Sequence, residues 1–308
     1  MNTFIKFGGI SSNPHYNCAS KNVETWLEDG LRRPELGYSL IIFGIFIEIL
    51  YIPSLIAILK RNLYEFSCYK FMFFLGVIDM TATIICSIIS GYLFIEGAVF
   101  CSHPNLIYIS GAIALGLWLS CASLTLFLVI NRILDILYPD VSQILFNGNK
   151  TYCWLAISFT YGFIATWFSP PICFNSKIMA WINNPLIFRE NDIVEGYFNW
   201  MQTINNIVFV FLVIILYSIY CTVVWKRQMG FQMSAGMQIF MQATVICSFS
   251  SCSALIYVVM MFIEPHPIIV LFGELFWSIM HGSPAFIYLI FNRSVKNEIR
   301  SWFQKTSC

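Results

Sequence analysis

Seven long apolar runs dominate this chain, and each is about as long as a bilayer is thick. A spanning helix needs roughly 20 predominantly apolar residues. Runs of that kind cover about 36–59, 69–95, 106–130, 152–174, 202–225, 239–263 and 268–291. Lipid offers no partner to a free backbone N–H or C=O, so the runs are read as helices. The connections are short and no internal repeat is visible, which makes one up-and-down bundle. The predicted fold is an all-α membrane protein, a seven-transmembrane helix bundle with its N-terminus outside and its C-terminus cytoplasmic. It divides into an extracellular segment over 1–35, the bundle over 36–292 and a short cytoplasmic tail over 293–308.

Composition agrees. The 308 residues are 58% hydrophobic and only 11% charged, against about 25% charged in a soluble domain, too few to build a water-facing surface. A net charge of +1 leaves no basic field for nucleic acid. Residues 1–35 are polar and end in Arg32-Arg33-Pro34. They do not resemble a cleaved signal peptide, so the first run is expected to act as an uncleaved anchor. The eleven Cys show no zinc spacing, and most are read as small buried hydrophobes.

Orientation follows from Lys and Arg, which concentrate on the cytoplasmic side. With the N-terminus outside, the inner segments hold Lys60, Arg61, Lys70, Arg132, Lys150, Lys226, Arg227, Arg293, Lys296, Arg300 and Lys305. The outer ones hold Lys6, Lys21, Arg32, Arg33, Lys177 and Arg189. The Arg32-Arg33 pair argues the other way and is outweighed. The sequons at Asn149 and Asn292 then fall on the inner side, where no glycan is expected.

An ionisable group inside a membrane helix is a functional hypothesis by default. Glu48, Asp79, Glu274 and His281 qualify. In the last run Glu274, Trp277, His281, Pro284 and Tyr288 recur at three-four spacing and share one face, which should point into the bundle. The plainer reading is a face that only ties the helix to its neighbours. Glu48 and His281 lie at similar depth in helices that close the ring, and a hydrogen-bonded pair between them is expected. Glu48, Asp79 and His281 together are the candidate intramembrane polar network. In rhodopsin-like receptors a mid-helix-2 Asp joins a network that can hold sodium; for Asp79 this is analogy. Arg132, at the inner end of the third run, either snorkels to water or meets a G protein. Its setting, Asn131-Arg132-Ile133, is similar to the Asp/Glu-Arg-Tyr motif with the acid and Tyr replaced. Cys18, Cys101 and Cys173 are the outer-side cysteines; Cys18–Cys101 is the favoured pair, and Cys101–Cys173 stays open because spacing cannot decide between them.

Ligand-lining candidates, chosen by depth and polarity from outer halves of helices 3, 5, 6 and 7, are Tyr108, Asn205, Tyr257, Met261, Glu274 and Trp277. No phosphate-binding Gly loop, metal-spaced His pair or nucleophile elbow appears, so neither an enzyme nor a cofactor is expected. A secondary transporter would show repeats and matched interrupted helices. A retinal photoreceptor would need a Lys in the last run, and that run has none. A non-signalling membrane scaffold remains the other alternative.

Several stretches, in order and spacing, resemble the nematode serpentine receptor class T chemoreceptors. They are Ser67-Cys68-Tyr69-Lys70, Leu75-Gly76-Val77-Ile78-Asp79-Met80, Val99-Phe100-Cys101 with Pro104, Tyr108-Ile109-Ser110-Gly111 and Asn131-Arg132 with Asp135. Leu145-Phe146-Asn147-Gly148, Phe174-Asn175-Ser176, Ala180-Trp181, Asn184-Pro185 and His281-Gly282-Ser283-Pro284-Ala285 continue the series. The resemblance runs from about Tyr16 to Arg300. It implies a chemosensory receptor of G-protein-coupled type in the membrane of sensory cilia, with a small environmental or secreted ligand and a heterotrimeric G protein as partners. Two departures from the rhodopsin-like pattern stand out. The sixth run has no interior proline, the nearest being Pro265, and Pro284 and Tyr288 are four apart rather than three. The short loop from Lys226 to about Gln238 carries only Lys226 and Arg227 as charges, so it adds little independent support for G-protein coupling.

Overall fold

A computed structural model describes residues 6–185, 187, 197–227, 235–263 and 266–305. Pro265 and the centre of the loop after Arg227 lie outside the described residues. The bundle consists of α1 (Pro34–Ile58), α2 (Ser67–Glu96), α3 (Pro104–Leu137), α4 (Lys150–Phe168), α5 (Trp200–Arg227), α6 (Ala235–Phe262) and α7 (Pro267–Phe291), followed by α8 (Arg293–Lys305). Six of the first seven are long and apolar enough to cross a membrane. The seventh, α4, has 19 residues, about 28 Å at 1.5 Å per residue, close to the ~30 Å of a hydrocarbon core. Its hydroxyls and indoles lower its hydropathy without adding a charge past Lys150.

Side-chain exposure fits a bundle in lipid. Ile42, Ile45, Phe46, Ile49, Ile52 and Ile56 form an exposed apolar flank on α1, as do Phe211 and Ile214 on α5. Water does not tolerate contiguous apolar surface on that scale, and hydrocarbon does. Between helices, small residues bring backbones together. One such close crossing joins α3 and α4 at Gly116 and Gly162. A Cβ on Gly162 would lie 1.9 Å from Ser120 Oγ and 2.4 Å from Gly116 O, and one on Gly116 would lie 2.7 Å from Gly162 O.

The fourth predicted span is too long by a turn and a half. Ser169-Pro170-Pro171 ends α4 at Phe168, because Pro has no N–H and disfavours helix in the residue before it. Ile172 to Phe174 therefore leave the helix, and Cys173–Asn175 (β1) pairs antiparallel with Ala180–Ile182 (β2). This hairpin covers one end of the bundle, called the hairpin end below. The Trp181 indole donates to Ser90 Oγ on α2 at 2.8 Å, and Ser176 N donates to Ala98 O at 2.9 Å.

The N-terminal segment is polar in sequence but folds into the same cap. A 3-10 turn (Pro14–Tyr16) and a short helix (Val23–Glu28) bury Ile10, Tyr16 and Trp26. The Tyr16 ring meets Phe100, Tyr108 and Tyr197 at centroid distances of 5.6, 5.0 and 5.9 Å. The Tyr197 hydroxyl donates to His15 O at 2.7 Å. Burial holds the phenols of Tyr16 and Tyr197 above their usual range, Tyr197 to about 12, so both stay neutral at physiological pH. Cys18 and Cys101 form a disulfide with Cα atoms 5.4 Å apart, and the rival Cys173 is a buried free thiol in β1.

That disulfide closes a loop with a sequence separation of 83. Chain entropy alone would make a loop of that size worth about 4.5 kcal/mol. Two spanning helices lie inside the loop and remain in the bilayer when packing is lost, so the unfolded ensemble is already restricted. Cys18→Ser with Cys101→Ser is expected to lower stability by about 2 kcal/mol, the lower end of the usual range. Thermal unfolding of the purified pair variant beside the unmutated chain checks this.

Candidate functional site

At the hairpin end a cleft of about 620 Å³ opens between the hairpin, α5, α6 and α7, within the size range of small-ligand sites. Trp181, Ile182 and Asn183 form one wall, and Tyr257, Met261, Pro267 and Val270 form the other. Below it, a chamber of about 30 Å³ lies among Trp118, Asn206, Ser253, Tyr257 and Trp277. Tyr257 lines both spaces. Trp118 Nε1 donates to Asn206 Oδ1 at 2.7 Å, and Asn206 Nδ2 to Ala254 O at 3.3 Å, which ties α3, α5 and α6 around the chamber.

The six lining candidates separate. Tyr257 and Met261 line the cleft, and Trp277 lines the chamber. Glu274 lies one helical turn above Trp277, fully buried and outside the lining of both spaces. Ser90 and Tyr257 are its immediate polar neighbours. Tyr108 and Asn205 are corrections. Tyr108 is packed beneath Tyr16, and Asn205 accepts from Tyr161 of α4 at 3.3 Å. Depth and polarity placed them correctly along the axis, but helix rotation turns them from the cleft. The expected four-helix pocket is also adjusted: α3 reaches only the chamber, because the N-terminal cap and hairpin cover its upper end. Trp181 and Asn183 were missed, since three-residue strands leave no period to read, and Gln202, in the first turn of α5, was missed as well.

The α7 stripe points inward as its spacing predicts: Glu274, Trp277, His281, Pro284 and Tyr288 are all buried. Pro284 cannot bond the carbonyl of Met280, and the Ser283 hydroxyl donates there instead at 3.3 Å. Opposite this stripe α2 contains a π-helical segment, Ile84–Ile89, a device frequent at functional sites. Ser90 Oγ donates to Ile85 O at 3.0 Å, and Ser278 Oγ of α7 donates to Cys86 O at 3.1 Å. The irregular turn is thus bonded in part by α7, directly beside Glu274.

Two turns deeper, His281 Nδ1 lies 2.7 Å from Asp79 Oδ1. Tyr51 Oη lies 2.6 Å from the His281 carbonyl and 3.1 Å from Asp79 Oδ2. The expected Glu48–His281 pair does not form. Ile47 and Tyr51 are fully buried on the inward stripe of α1, and Glu48, one residue on, is rotated by about 100°. Its side chain is half-buried, and Oε1 has no partner. Cys121 joins Asp79 and His281, the three donor atoms lying within 4.8 Å of one another. Ligands about 2.0–2.1 Å from a shared ion stand roughly 3.3 Å apart at a tetrahedral angle. The 2.7 Å contact is therefore a hydrogen bond and not two arms of a metal site.

At the opposite end Asn131 is buried, accepts from Ser67 Oγ at 3.3 Å and donates to Ser142 Oγ at 3.3 Å. Ser142 also donates to Asp135, joining α3 to the short helix Pro139–Phe146. Arg132 pairs with Asp135 at 3.7 Å, half-exposed at the end of the bundle. So the acid that partners this Arg follows it by three residues, and Asn131 serves as a structural tie.

This arrangement belongs to a known kind of protein. Residues 3–308 match the family described as Serpentine type 7TM GPCR chemoreceptor Srt. A relative, Serpentine receptor class T-55 of Caenorhabditis elegans, is 26% identical over 289 residues, covering 92% of this chain and 78% of that protein. The chain belongs to the Srt family of serpentine seven-transmembrane chemoreceptors.

Proposed function

We propose that the chain is a chemosensory receptor that binds a small environmental or secreted molecule in the hairpin-end cleft and passes the event to a heterotrimeric G protein. The hairpin end faces outside and α8 the cytoplasm, as the Lys and Arg distribution supports. The membrane of sensory cilia is the proposed location, on the family resemblance. The observation that carries this reading is a continuous line of packed groups from the cleft to the polar pair. Tyr257 meets Trp277 at 6.4 Å, and Trp277 meets His281 at 6.5 Å. His281 then bonds Asp79 on α2.

A ligand shifts a conformational equilibrium only by binding one state better than the other. A molecule against Tyr257 and Trp181 would favour one setting of Trp277, and with it one setting of the α2–α7 contact. Arg132, released from Asp135, is the group that would meet the G protein. The secondary transporter and the non-signalling scaffold remain the rival readings. Neither predicts an output that depends on Arg132.

Ligand-evoked calcium in cells expressing the chain, with small volatiles and secreted metabolites, tests this. Arg132→Ala at matched surface level is expected to lose at least ~10-fold in response, equivalent to the 1–3 kcal/mol usual for coupling between sites, while binding is unchanged. An equal response from Arg132→Ala would remove the proposed coupling route.

A further inference from the structure

We propose that the cleft selects an uncharged molecule with a carboxamide head and an apolar body, and that Gln202 is the residue that reads the head; this rests on the receptor reading and narrows it to a ligand class. Gln202 lines both the cleft and the chamber, so it stands where the two join. It is 9% exposed, and its side-chain amide makes no hydrogen bond among the described residues. A buried amide without partners is unfavourable, because each unmet donor or acceptor keeps its full desolvation penalty.

The local sequence offers this Gln an internal partner that it does not take. Asn199-Trp200-Met201-Gln202 has the spacing of a capping box, in which the side chain three residues past the cap bonds back to the cap N–H. Half of the box is closed. Asn199 Oδ1 accepts from Gln202 N at 3.0 Å, and Asn199 Nδ2 donates to Pro170 O at 2.8 Å, which ties the start of α5 to the residues that follow α4. The returning bond from the Gln202 side chain is not made among the described residues. One turn on, Asn206 lines the same chamber and is engaged by Trp118 and Ala254. The Gln202 amide is left for an occupant of the site.

Ser253 of α6 repeats the pattern in the chamber. Ser248 and Ser250 on the same helix donate to the carbonyls four residues back, at 2.8 and 2.9 Å. Ser253 is 4% exposed, lines the chamber and makes no such bond among the described residues. Gln202 and Ser253 both donate and accept, and neither carries a charge. Every residue around the chamber is uncharged, and Lys177, on the exposed rim, is the one charged residue described around the cleft. A charged head beside Gln202 would therefore be buried without a counter-ion. A carboxamide presents a C=O and an N–H side by side and pairs with both groups of the Gln202 amide. An ester has no donor and leaves Gln202 Oε1 unmet. The apolar body lies above, against Ile182, Met261 and Val270.

The test uses the full chain in lipid nanodiscs and reads its thermal midpoint. Hexanamide and phenylacetamide are compared with their methyl esters, with hexanoate and phenylacetate, and with hexylamine. The two amides are expected to raise the midpoint most, the esters less, and the charged compounds not at all. Gln202→Leu is expected to raise the midpoint without ligand, since it removes an unpaired buried amide. It is also expected to bind the amides at least ~10-fold more weakly, the equivalent of one net hydrogen bond, so that the preference for amide over ester disappears. A lower midpoint for Gln202→Leu without ligand would show that the amide serves the fold, through the cap or a buried water, and would overturn the proposal. So would a charged compound acting as well as the amides, an amide preference that survives in Gln202→Leu, or no effect of either amide. Calcium responses confined to charged compounds would leave the receptor reading standing without the carboxamide. Gln202-dependent amide binding with no G-protein output would do the reverse.

Discussion

Replacing His281 with Ala will destabilise the bundle by about 3–5 kcal/mol, the loss expected when one partner of a buried ion pair is removed and the other charge stays behind. Asp79 is 3% exposed and His281 0%, so neither reaches water. Their 2.7 Å contact lies in the range of charge-assisted hydrogen bonds. A neutral interhelical hydrogen bond in a membrane protein averages only about 0.6 kcal/mol, so the size of the loss separates the two cases. The double variant Asp79→Asn with His281→Ala will be more stable than His281→Ala alone, because the stranded charge is gone. Unfolding of the wild type, both singles and the double in one detergent measures the coupling. A loss under about 1 kcal/mol for His281→Ala would show that the pair is not ionic.

Gly162→Leu will prevent the chain from reaching the cell surface, and Gly162→Ala will lower stability by about 1–3 kcal/mol, the usual range for overpacking. The limit is backbone. The added Cβ would stand 2.4 Å from Gly116 O, and a carbonyl in α3 cannot rotate aside as a side-chain tip can. The further 1.9 Å approach to Ser120 Oγ is relieved by a rotamer change, which is why Ala is tolerated in part and Leu is not. Thr166→Ala beside it provides the control, since it removes atoms from the same crossing. Surface labelling with matched total expression reads the first effect and thermal unfolding the second. Normal surface levels of Gly162→Leu would mean that α3 and α4 do not cross this closely.

Much of this fold is legible in the sequence because lipid imposes strong rules. Seven apolar runs and the inward stripe of α7 follow from length and period, and Arg132 stands at the end of the bundle opposite the hairpin, at the close of its run. The elements that sequence reasoning misses are those where a local exception decides. Pro170 and Pro171 cut α4 short and release the hairpin whose Trp181 walls the cleft. The π segment of α2 shifts the helical phase, so no 3.6-residue count places Ser90 and Cys86 beside Glu274. Tyr16 and Trp26 lie in a segment too polar on average to read as core, yet each packs deeply. Polarity singled out Glu48 on α1, but the residue that reaches His281 and Asp79 from that helix is Tyr51, an aromatic indistinguishable by type from lipid-facing neighbours. Tyr108 and Asn205 show the same limit: depth is readable from position in a run, and rotation about the axis depends on packing partners.

The most direct test of ligand-driven signalling is nucleotide exchange on a heterotrimeric G protein, measured with the purified full chain in nanodiscs and a compound that raises its thermal midpoint. The compound is expected to accelerate exchange in the wild type, and not in Arg132→Ala, which still binds it. A compound that binds the cleft with full affinity and leaves exchange unchanged in the wild type would contradict the proposed receptor function and favour a non-signalling membrane protein of the same fold.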